Sequence, residues 1–410
     1  MVTKIWRPDN DRLEAVIQTA DGGFAVAGSY VKSYGEQGEL GRSSDAWLAK
    51  TNAGGYGLWS QTYGRFLLSG QKDDVAYSLI QTSDGGFVLA GYTGCYGAGK
   101  KDMWLIKTDS NGNPQWNQTY GGSEDDISYA IIQTTGGGFI LAGSTDSYGA
   151  GKSDVWLVKT SPNGNEEWNR VYGESGADVA NTMIQTTDGG YALAGWTNSS
   201  VEESSFPFPP PPSLPKTDAL LMKTDANGAT QWNQTYRGIY PNNKAFSVIE
   251  TTNGSLIFAG QSGMDAWLVK TDTNGNMEWN QTYGGPGLDS ANAIIQTPDG
   301  GYAFTGSFFS PDRVADFWLV KTNPESLPII PIISPIVIPP LTITTTSEPV
   351  STSEIPPETT SETSPLTTME SKPEKVPKEE GEAAGIPGFM TFPTLLALIV
   401  VVLVFRKHQK

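Results

Sequence analysis

A block of sequence that recurs along the first 322 residues of this 410-residue chain limits the possible folds more than any other feature. The block DMWLIKTDSNGNPQWNQTYGG starts at Asp102, and copies start at Asp45, Asp154, Asp218 and Asp265. A sixth copy, DFWLVKTNPES, stops before its tryptophan. A second phrase, an apolar run followed by Gln-Thr and usually Asp-Gly-Gly, precedes each copy and recurs after 63, 52, 52, 65 and 46 residues. Units of this length stack on one another, because one unit cannot bury its faces alone.

Each repeat is predicted to form four strands, named A to D in chain order. Strand A is Ala-x-x-Ile-Ile-Gln-Thr, strand B is Gly-Gly-Phe-x-Leu-Ala-Gly, strand C is Trp-Leu-Val-Lys-Thr and strand D is Trp-Asn-Gln-Thr-Tyr. β-Branched and aromatic residues between Gly, Asn and Asp clusters are the usual strand signature. The Asp-Gly-Gly and Asn-Gly segments predict tight A–B and C–D turns, in which glycine adopts a positive φ.

Tryptophan supplies the expected packing between repeats. Ten of the twelve tryptophans lie on strands C and D. Burial of one aromatic side chain contributes on the order of 4–6 kcal/mol as an upper bound. We therefore interpret the repeated tryptophans as core residues rather than as a platform for a cofactor or a sugar.

The strand count predicts how the fold closes. Strands A, B and C each occur six times, but strand D with its tryptophan occurs five times. Met1–Ile5 stands at the strand D position ahead of the first repeat. We therefore predict an all-β fold, a six-bladed β-propeller of four-stranded blades, closed by one N-terminal and three C-terminal strands. Such closure pairs sheet edges that would otherwise be exposed.

The C–D hairpin, in which Trp116 follows Gly112 by four residues, resembles the repeat of pyrroloquinoline-quinone-like and kelch-like β-propellers. The resemblance covers residues 1–322 and implies architecture alone. It implies no quinone cofactor, because the quinone enzymes use two adjacent cysteines and this chain has one cysteine, Cys95.

Composition excludes several classes of function. The net charge of −17 argues against nucleic acid as a partner, because phosphate binding needs a basic surface. A single cysteine allows no internal disulfide and no cysteine-based metal site. The only histidine, His408, lies in the C-terminal tail, so none is predicted in the folded part. We expect no cofactor and no metal site.

The C-terminal quarter has a different composition. Residues 323–385 are rich in Pro, Thr, Ser and Glu and predict a disordered stalk. Residues 386–405 are uncharged and largely apolar, near the lower limit for crossing a bilayer, and 406–410 form a basic tail. The Pro-Gly-Phe at Pro387 resembles the archaeal PGF-CTERM sorting signal, which implies an archaeal cell surface and replacement of the tail by a lipid anchor. The same segment also suits a plain transmembrane helix.

The charge distribution predicts the compartment. Basic residues after the apolar segment favour a cytoplasmic tail, which places the propeller outside the cell membrane. Export needs a signal, and no apolar stretch follows Met1, so we expect a signal peptide upstream of this start.

Loop lengths predict which end of the propeller binds a ligand. From the Lys of strand C to the Trp of strand D there are nine positions in all five copies. From the Gly that ends strand B to the Asp that opens strand C there are 17, 11, 11, 23, 5 and 10. Loops that vary on a rigid scaffold usually carry the binding site. We therefore predict a ligand at the end with the B–C and D–A loops, the loop face, with candidate contacts Tyr34, Tyr96, Lys100, Tyr148, Lys152 and Phe206.

Two sets of aspartates recur. The first stands seven residues before the Gln of strand A, at Asp11, Asp74, Asp126, Asp178 and Asp289, with Asn243 in the fifth repeat. The second opens every strand C. A ring of aspartates around an axis could hold a cation, but such residues more often bond backbone amides in turns. We interpret both sets as structural.

These features favour a non-enzymatic binding or adhesion propeller at the cell surface, with a glycan or protein partner. The alternatives are an extracellular glycosidase or lyase, and a structural component of the envelope. Glycosidases need two carboxylates in different environments, whereas the repeated acids here have equivalent positions. Sequons for N-glycosylation occur at Asn117, Asn198, Asn233, Asn253 and Asn280.

Overall fold

The computed structural model describes residues 11–34, 41–65, 72–198, 217–238, 240–309 and 315–323. Within these ranges 23 strands form six antiparallel sheets that follow one another along the chain. The predicted closing strand Met1–Ile5, the predicted stalk beyond residue 323, the apolar segment 386–405 and the basic tail 406–410 lie outside these ranges.

Each sheet is one repeat, in the strand order A-B-C-D. The first comprises β1 (Arg12–Gln18), β2 (Phe24–Tyr34), β3 (Gly41–Thr51) and β4 (Gly57–Tyr63). The second comprises β5 (Asp74–Gln81), β6 (Phe87–Thr93), β7 (Asp102–Thr108) and β8 (Pro114–Tyr120). The third comprises β9 (Asp126–Gln133), β10 (Phe139–Thr145), β11 (Asp154–Thr160) and β12 (Glu166–Tyr172).

The remaining sheets repeat the pattern. The fourth comprises β13 (Asp178–Gln185), β14 (Tyr191–Thr197), β15 (Asp218–Thr224) and β16 (Thr230–Tyr236). The fifth comprises β17 (Asn243–Glu250), β18 (Leu256–Ser262), β19 (Asp265–Thr271) and β20 (Met277–Tyr283). The sixth has three described strands, β21 (Ser290–Gln296), β22 (Tyr302–Phe309) and β23 (Ala315–Lys321). The predicted six-bladed propeller of four-stranded blades is thereby confirmed.

Strands B and C of the second to fifth blades are largely buried on both faces, because a neighbouring blade covers each side. In the second blade, Trp104 packs towards the first blade and Met103 packs towards the third. The sixth blade differs: Phe317 and Leu319 of β23 are 45% and 41% exposed, whereas Met103 and Leu105 at the same positions are fully buried. The equivalent face of the second blade packs against the third blade, and the predicted N-terminal closure stays a prediction.

The aromatic pair of strand D fastens each blade to the next. The Trp59 ring lies against Gly112 in the C–D turn of the second blade, leaving no room for a Cβ atom there. The Tyr63 hydroxyl donates a hydrogen bond to the Gly112 carbonyl oxygen at 2.7 Å. The same bond recurs at the next three interfaces, at 2.5, 2.5 and 2.6 Å, from Tyr120 to Gly164, Tyr172 to Gly228 and Tyr236 to Gly275.

An ion pair explains why Lys recurs in strand C and Asp in the A–B turn. Lys107 donates to Asp84 at 2.9 Å, and the pairs Lys50–Asp21, Lys223–Asp188 and Lys321–Asp299 repeat the contact. The hydroxyl of Thr82 and the ammonium of Lys107 lower the pKa of Asp84 to about 2. The end of the propeller with uniform turns, the turn face, is therefore held by repeated local bonds.

A β-bulge interrupts every strand A, and the glycine of strand B makes room for it. In the third blade the register shifts at Tyr129: Ser128 and Ala130 each pair with a residue of strand B, and Tyr129 between them is skipped. The bulge brings the carbonyl oxygen of Ile127 against the Cα atom of Gly143, so a Cβ atom at Gly143 would overlap that oxygen. The same close approach occurs at Gly28, Gly91, Gly195, Gly260 and Gly306. The invariant glycine is thus a requirement of the bulge.

The substitution Gly143→Ala should therefore destabilise the fold by about 3 kcal/mol, the upper end of overpacking costs, because the colliding atom belongs to the backbone. Gly57→Ala is the matched control, since nothing lies within 4 Å of the Cβ position at Gly57. Urea unfolding of both variants measures the difference. Equal midpoints would contradict the role assigned to the glycine.

The substitution Tyr120→Phe should cost about 1–2 kcal/mol, because it leaves a buried carbonyl oxygen without its donor. Tyr283→Phe is the control: Tyr283 holds the same place in the fifth blade, and its buried hydroxyl has no hydrogen-bond partner within the described ranges. Thermal unfolding should show a lower Tm for the first variant alone. A similar loss in both would show that the hydroxyl bond is not what joins the blades.

Candidate functional site

Residues of all six A strands line a central cavity of about 490 Å³. Every blade contributes to its lining, and the sixth blade also contributes Ala303, Thr305 and Leu319 from β22 and β23. The cavity therefore follows the propeller axis and lies in the size range of ligand pockets in proteins, roughly 300–1,000 Å³.

The bulged residue of every strand A lines this cavity, and its identity varies between blades. The six bulged residues are Glu14, Tyr77, Tyr129, Asn181, Phe246 and Asn292. The flanking positions keep the repeat pattern, with Ala or Ser one residue before the bulge in five of the six strands. The blades thus share one backbone and differ at the side chain that faces the axis.

Aromatic rings connect the cavity with the loop face. The Tyr77 ring lies 5.2 Å from the Tyr129 ring and 5.9 Å from the Tyr92 ring, measured between centroids. The ammonium of Lys101, in the B–C loop, lies 4.8 Å from the centroid of Tyr92. Between the fourth and fifth blades, Lys244 lies 5.1 Å from the Trp196 ring.

Burial controls the charge of this region. It raises the pKa of Glu14, an effect that the nearby Arg12 partly opposes. Burial also raises the pKa of Tyr77 well above its usual range and that of Tyr92 to about 12, so both hydroxyls remain protonated. The pKa of Lys244 is lowered by burial. The mouth of the cavity therefore offers stacking surfaces and neutral hydroxyls, with a few charged groups around them.

The two tyrosines predicted as ligand contacts each cover a core tryptophan. Tyr96 packs on Trp104 at 5.6 Å and Tyr148 on Trp156 at 5.4 Å between centroids. They are 37% and 46% exposed. The Tyr148 hydroxyl donates to the Gly121 carbonyl oxygen at 3.0 Å. Each ring thus has one face in the protein, which gives these residues a structural role besides any contact with a ligand.

The other predicted contacts are not brought together. The exposed Lys100 forms an ion pair with Glu124 at 2.5 Å. Lys152 is also exposed, and its backbone N–H donates to the Gly176 carbonyl oxygen at 2.8 Å. Phe206 and the side chain of Tyr34 lie outside the described parts of the structure.

The recurrent aspartates form pairs between blades rather than a ring around the axis. The strand C aspartate of one blade and the strand A aspartate of the next both reach the glycine that follows the Tyr of strand D. Their carboxylate oxygens lie closer than 3.0 Å to the position that a Cβ atom of that glycine would take. The pairs are Asp45–Asp74 at Gly64, Asp102–Asp126 at Gly121, Asp154–Asp178 at Gly173 and Asp265–Asp289 at Gly284. Asp11 accepts from the Val31 N–H at 3.2 Å.

The asparagines of the five sequons are exposed. The Asn117 and Asn280 side chains accept hydrogen bonds from the Trp104 and Trp267 indoles, each at 3.2 Å. The Asn of strand D therefore also positions the Trp of strand C, and glycosylation stays a prediction.

The sequence analysis did not predict that the bulged residues of the six A strands line a central cavity. The signal was available: in Ala-x-x-Ile-Ile-Gln-Thr the first x is the position that varies from Glu14 to Asn292. A strand without bulges would turn that residue and its neighbours to alternate faces, so the pattern alone gave no reason to place it on the axis.

The described ranges contain no helix long and apolar enough to cross a membrane. Nor do they contain a group of three or more His, Cys, Asp or Glu side chains that could hold a metal ion.

Comparison with known proteins supports no family assignment. No protein-family model and no curated protein matches the sequence. Similar solved structures include the Dos1 propeller, with 11% identity over 79% of this chain and 84% of that one and a TM-score of 0.46. A protein from Dyadobacter fermentans is 11% identical over 76% and 95% of the two chains, with a TM-score of 0.44. PorZ of Porphyromonas gingivalis is 12% identical over 80% and 42%, with a TM-score of 0.45. Similarities this low indicate nothing about function.

Proposed function

We propose that this protein is a ligand-binding propeller of the cell surface and that it binds a carbohydrate at the loop-face mouth of its central cavity. The observation that carries the proposal is the ring of bulged residues. One backbone is repeated six times, and the side chains that it directs to the axis are varied and include three aromatic rings.

The chemistry of the mouth suits a sugar. Sugars present apolar C–H faces that stack on aromatic rings, and hydroxyls that exchange hydrogen bonds with neutral polar groups. Tyr77 and Tyr129 offer adjacent rings, and their hydroxyls stay protonated because burial raises both pKa values. Asn292 adds an amide to the lining. A cavity of about 490 Å³ has room for a short oligosaccharide end.

The number of carboxylates in the cavity lining favours binding of a carbohydrate over its hydrolysis. Among the described residues that line the cavity, Glu14 carries the one carboxylate. Hydrolysis of a glycosidic bond by the common mechanisms requires two carboxylates about 5–9 Å apart. We therefore propose a non-enzymatic role in recognition or adhesion.

The cellular setting of this proposal rests on sequence. The apolar segment 386–405 with its basic tail, and the Pro-Gly-Phe that resembles an archaeal sorting signal, support attachment to a cell membrane with the propeller outside. The Pro- and Thr-rich segment 323–385, between the propeller and the apolar segment, supports display on a stalk.

The test is a glycan array probed with the purified full-length protein, followed by calorimetric titration with the best-bound oligosaccharide. The double variant Y77A/Y129A should bind at least about tenfold more weakly, because it removes both stacking surfaces. Tyr56→Ala is the control, since Tyr56 is a 49% exposed tyrosine at the C–D turn on the opposite face. It should bind like the unaltered protein, and thermal unfolding should show that both variants remain folded.

Two results would contradict the proposal. The first is an array without any bound glycan. The second is a folded Y77A/Y129A variant that binds the glycan as tightly as the unaltered protein.

A further inference from the structure

At three of the four interfaces with paired aspartates, a buried carboxylate oxygen has no hydrogen-bond partner among the described residues. At the third interface, Asp154 is 1% exposed, and its Oδ2 accepts the Ala150 and Gly151 N–H groups at 2.9 and 3.1 Å. Its Oδ1 is buried without a hydrogen-bond partner. That oxygen and Asp178 Oδ2 converge on the same point beside Gly173. A buried carboxylate oxygen that faces a second carboxylate requires compensation.

The first interface has the same arrangement. Asp74 is fully buried, and its Oδ1 accepts the Thr93 hydroxyl at 2.5 Å. Its Oδ2 is buried without a hydrogen-bond partner and converges with Asp45 Oδ1 beside Gly64. At four interfaces two acids thus converge beside a glycine, and a Cβ atom at that glycine would lie closer than 3.0 Å to an oxygen of each acid.

The fourth interface is the exception among the interfaces described. There the strand A aspartate is replaced by Asn243, and Arg237 stands at the position of the glycine. The Arg237 guanidinium forms hydrogen bonds with both carboxylate oxygens of Asp218, at 3.0 Å from Nε and 2.6 Å from its terminal nitrogen. Where one acid is lost and the glycine is lost, the chain itself therefore supplies a cation at this place.

We propose that each of the four carboxylate pairs, Asp45–Asp74, Asp102–Asp126, Asp154–Asp178 and Asp265–Asp289, binds a calcium ion between neighbouring blades. Two carboxylates neutralise one divalent ion, and their oxygens are the hard ligands that calcium prefers. Calcium takes roughly six to eight oxygen ligands in flexible geometry and accepts water and main-chain carbonyls among them, so two carboxylates can hold it while other oxygens complete its shell. These sites are independent of the cavity and of its proposed ligand, and they revise the purely structural interpretation from sequence.

The test exchanges the two kinds of interface in the full-length protein, freed of metal by a chelator and dialysed against calcium chloride. The variant G121R/D126N copies the fourth interface into the second and should bind one calcium ion fewer per chain. The variant R237G/N243D creates a carboxylate pair at the fourth interface and should bind one more. Bound calcium is counted by atomic emission and by calorimetric titration. The variant D102N/D126N, which leaves Gly121 in place, is a second means of removing one ion.

A matched control accounts for diffuse binding to a chain with a net charge of −17. The variant E166Q/E167Q removes two exposed acids at the start of β12, on the turn face, and should leave the count unchanged. The proposal fails if the count is the same in all variants, or if magnesium chloride fills the same sites equally well. It also fails if calcium does not raise the Tm of the metal-free protein at pH 7, the result expected of pairs that share a proton instead.

Discussion

The Trp and Tyr of strand D hold the Asn-Gly turn of the following blade, and the regularity of the chain follows from that contact. The Trp59 ring covers Gly112 while the Tyr63 hydroxyl bonds its carbonyl oxygen. Both contacts require a turn of fixed length and a glycine at its tip. A shift of one residue in strand D would turn both side chains to the opposite face of the sheet. The constant spacing from the Lys of strand C to the Trp of strand D is therefore a condition for stacking blades.

A scaffold fixed in this way leaves few positions free to differ. One is the bulged residue of strand A. The close approach of the Ile127 carbonyl oxygen to Gly143 fixes the backbone of the bulge, whereas the bulged residue itself, Tyr129 in this blade, differs between blades. Another is the glycine after strand D, which becomes Arg237 at one interface. The first set of positions faces the axis and supports recognition of a ligand. The second lies between blades and supports their cohesion, so the two proposals can fail separately.

Sequence predicted local structure well where the pattern has a local cause. The segment at Asp102 is a strand as predicted, and Gly112 takes the positive φ of 79° expected of a tight turn. It predicted side-chain roles less well. The variable loop predicts Tyr148 as a ligand contact, but its ring also packs on Trp156 and its hydroxyl donates a hydrogen bond to the Gly121 carbonyl oxygen. The sequence around a loop tyrosine does not distinguish contact with a ligand from packing on a core tryptophan.

The sequence by itself determined the strands, their turns and the number of blades, because alternation, glycine and aromatic spacing act over a few residues. Only the tertiary structure decided which residues meet. Asp102 and Asp126 are 24 residues apart and belong to different sheets, yet both reach Gly121. The Tyr77 and Tyr129 rings meet at the axis because bulges in two blades turn them inward. The angle between neighbouring blades sets both encounters, and that angle arises from the packing of whole sheets rather than from any one segment of the chain.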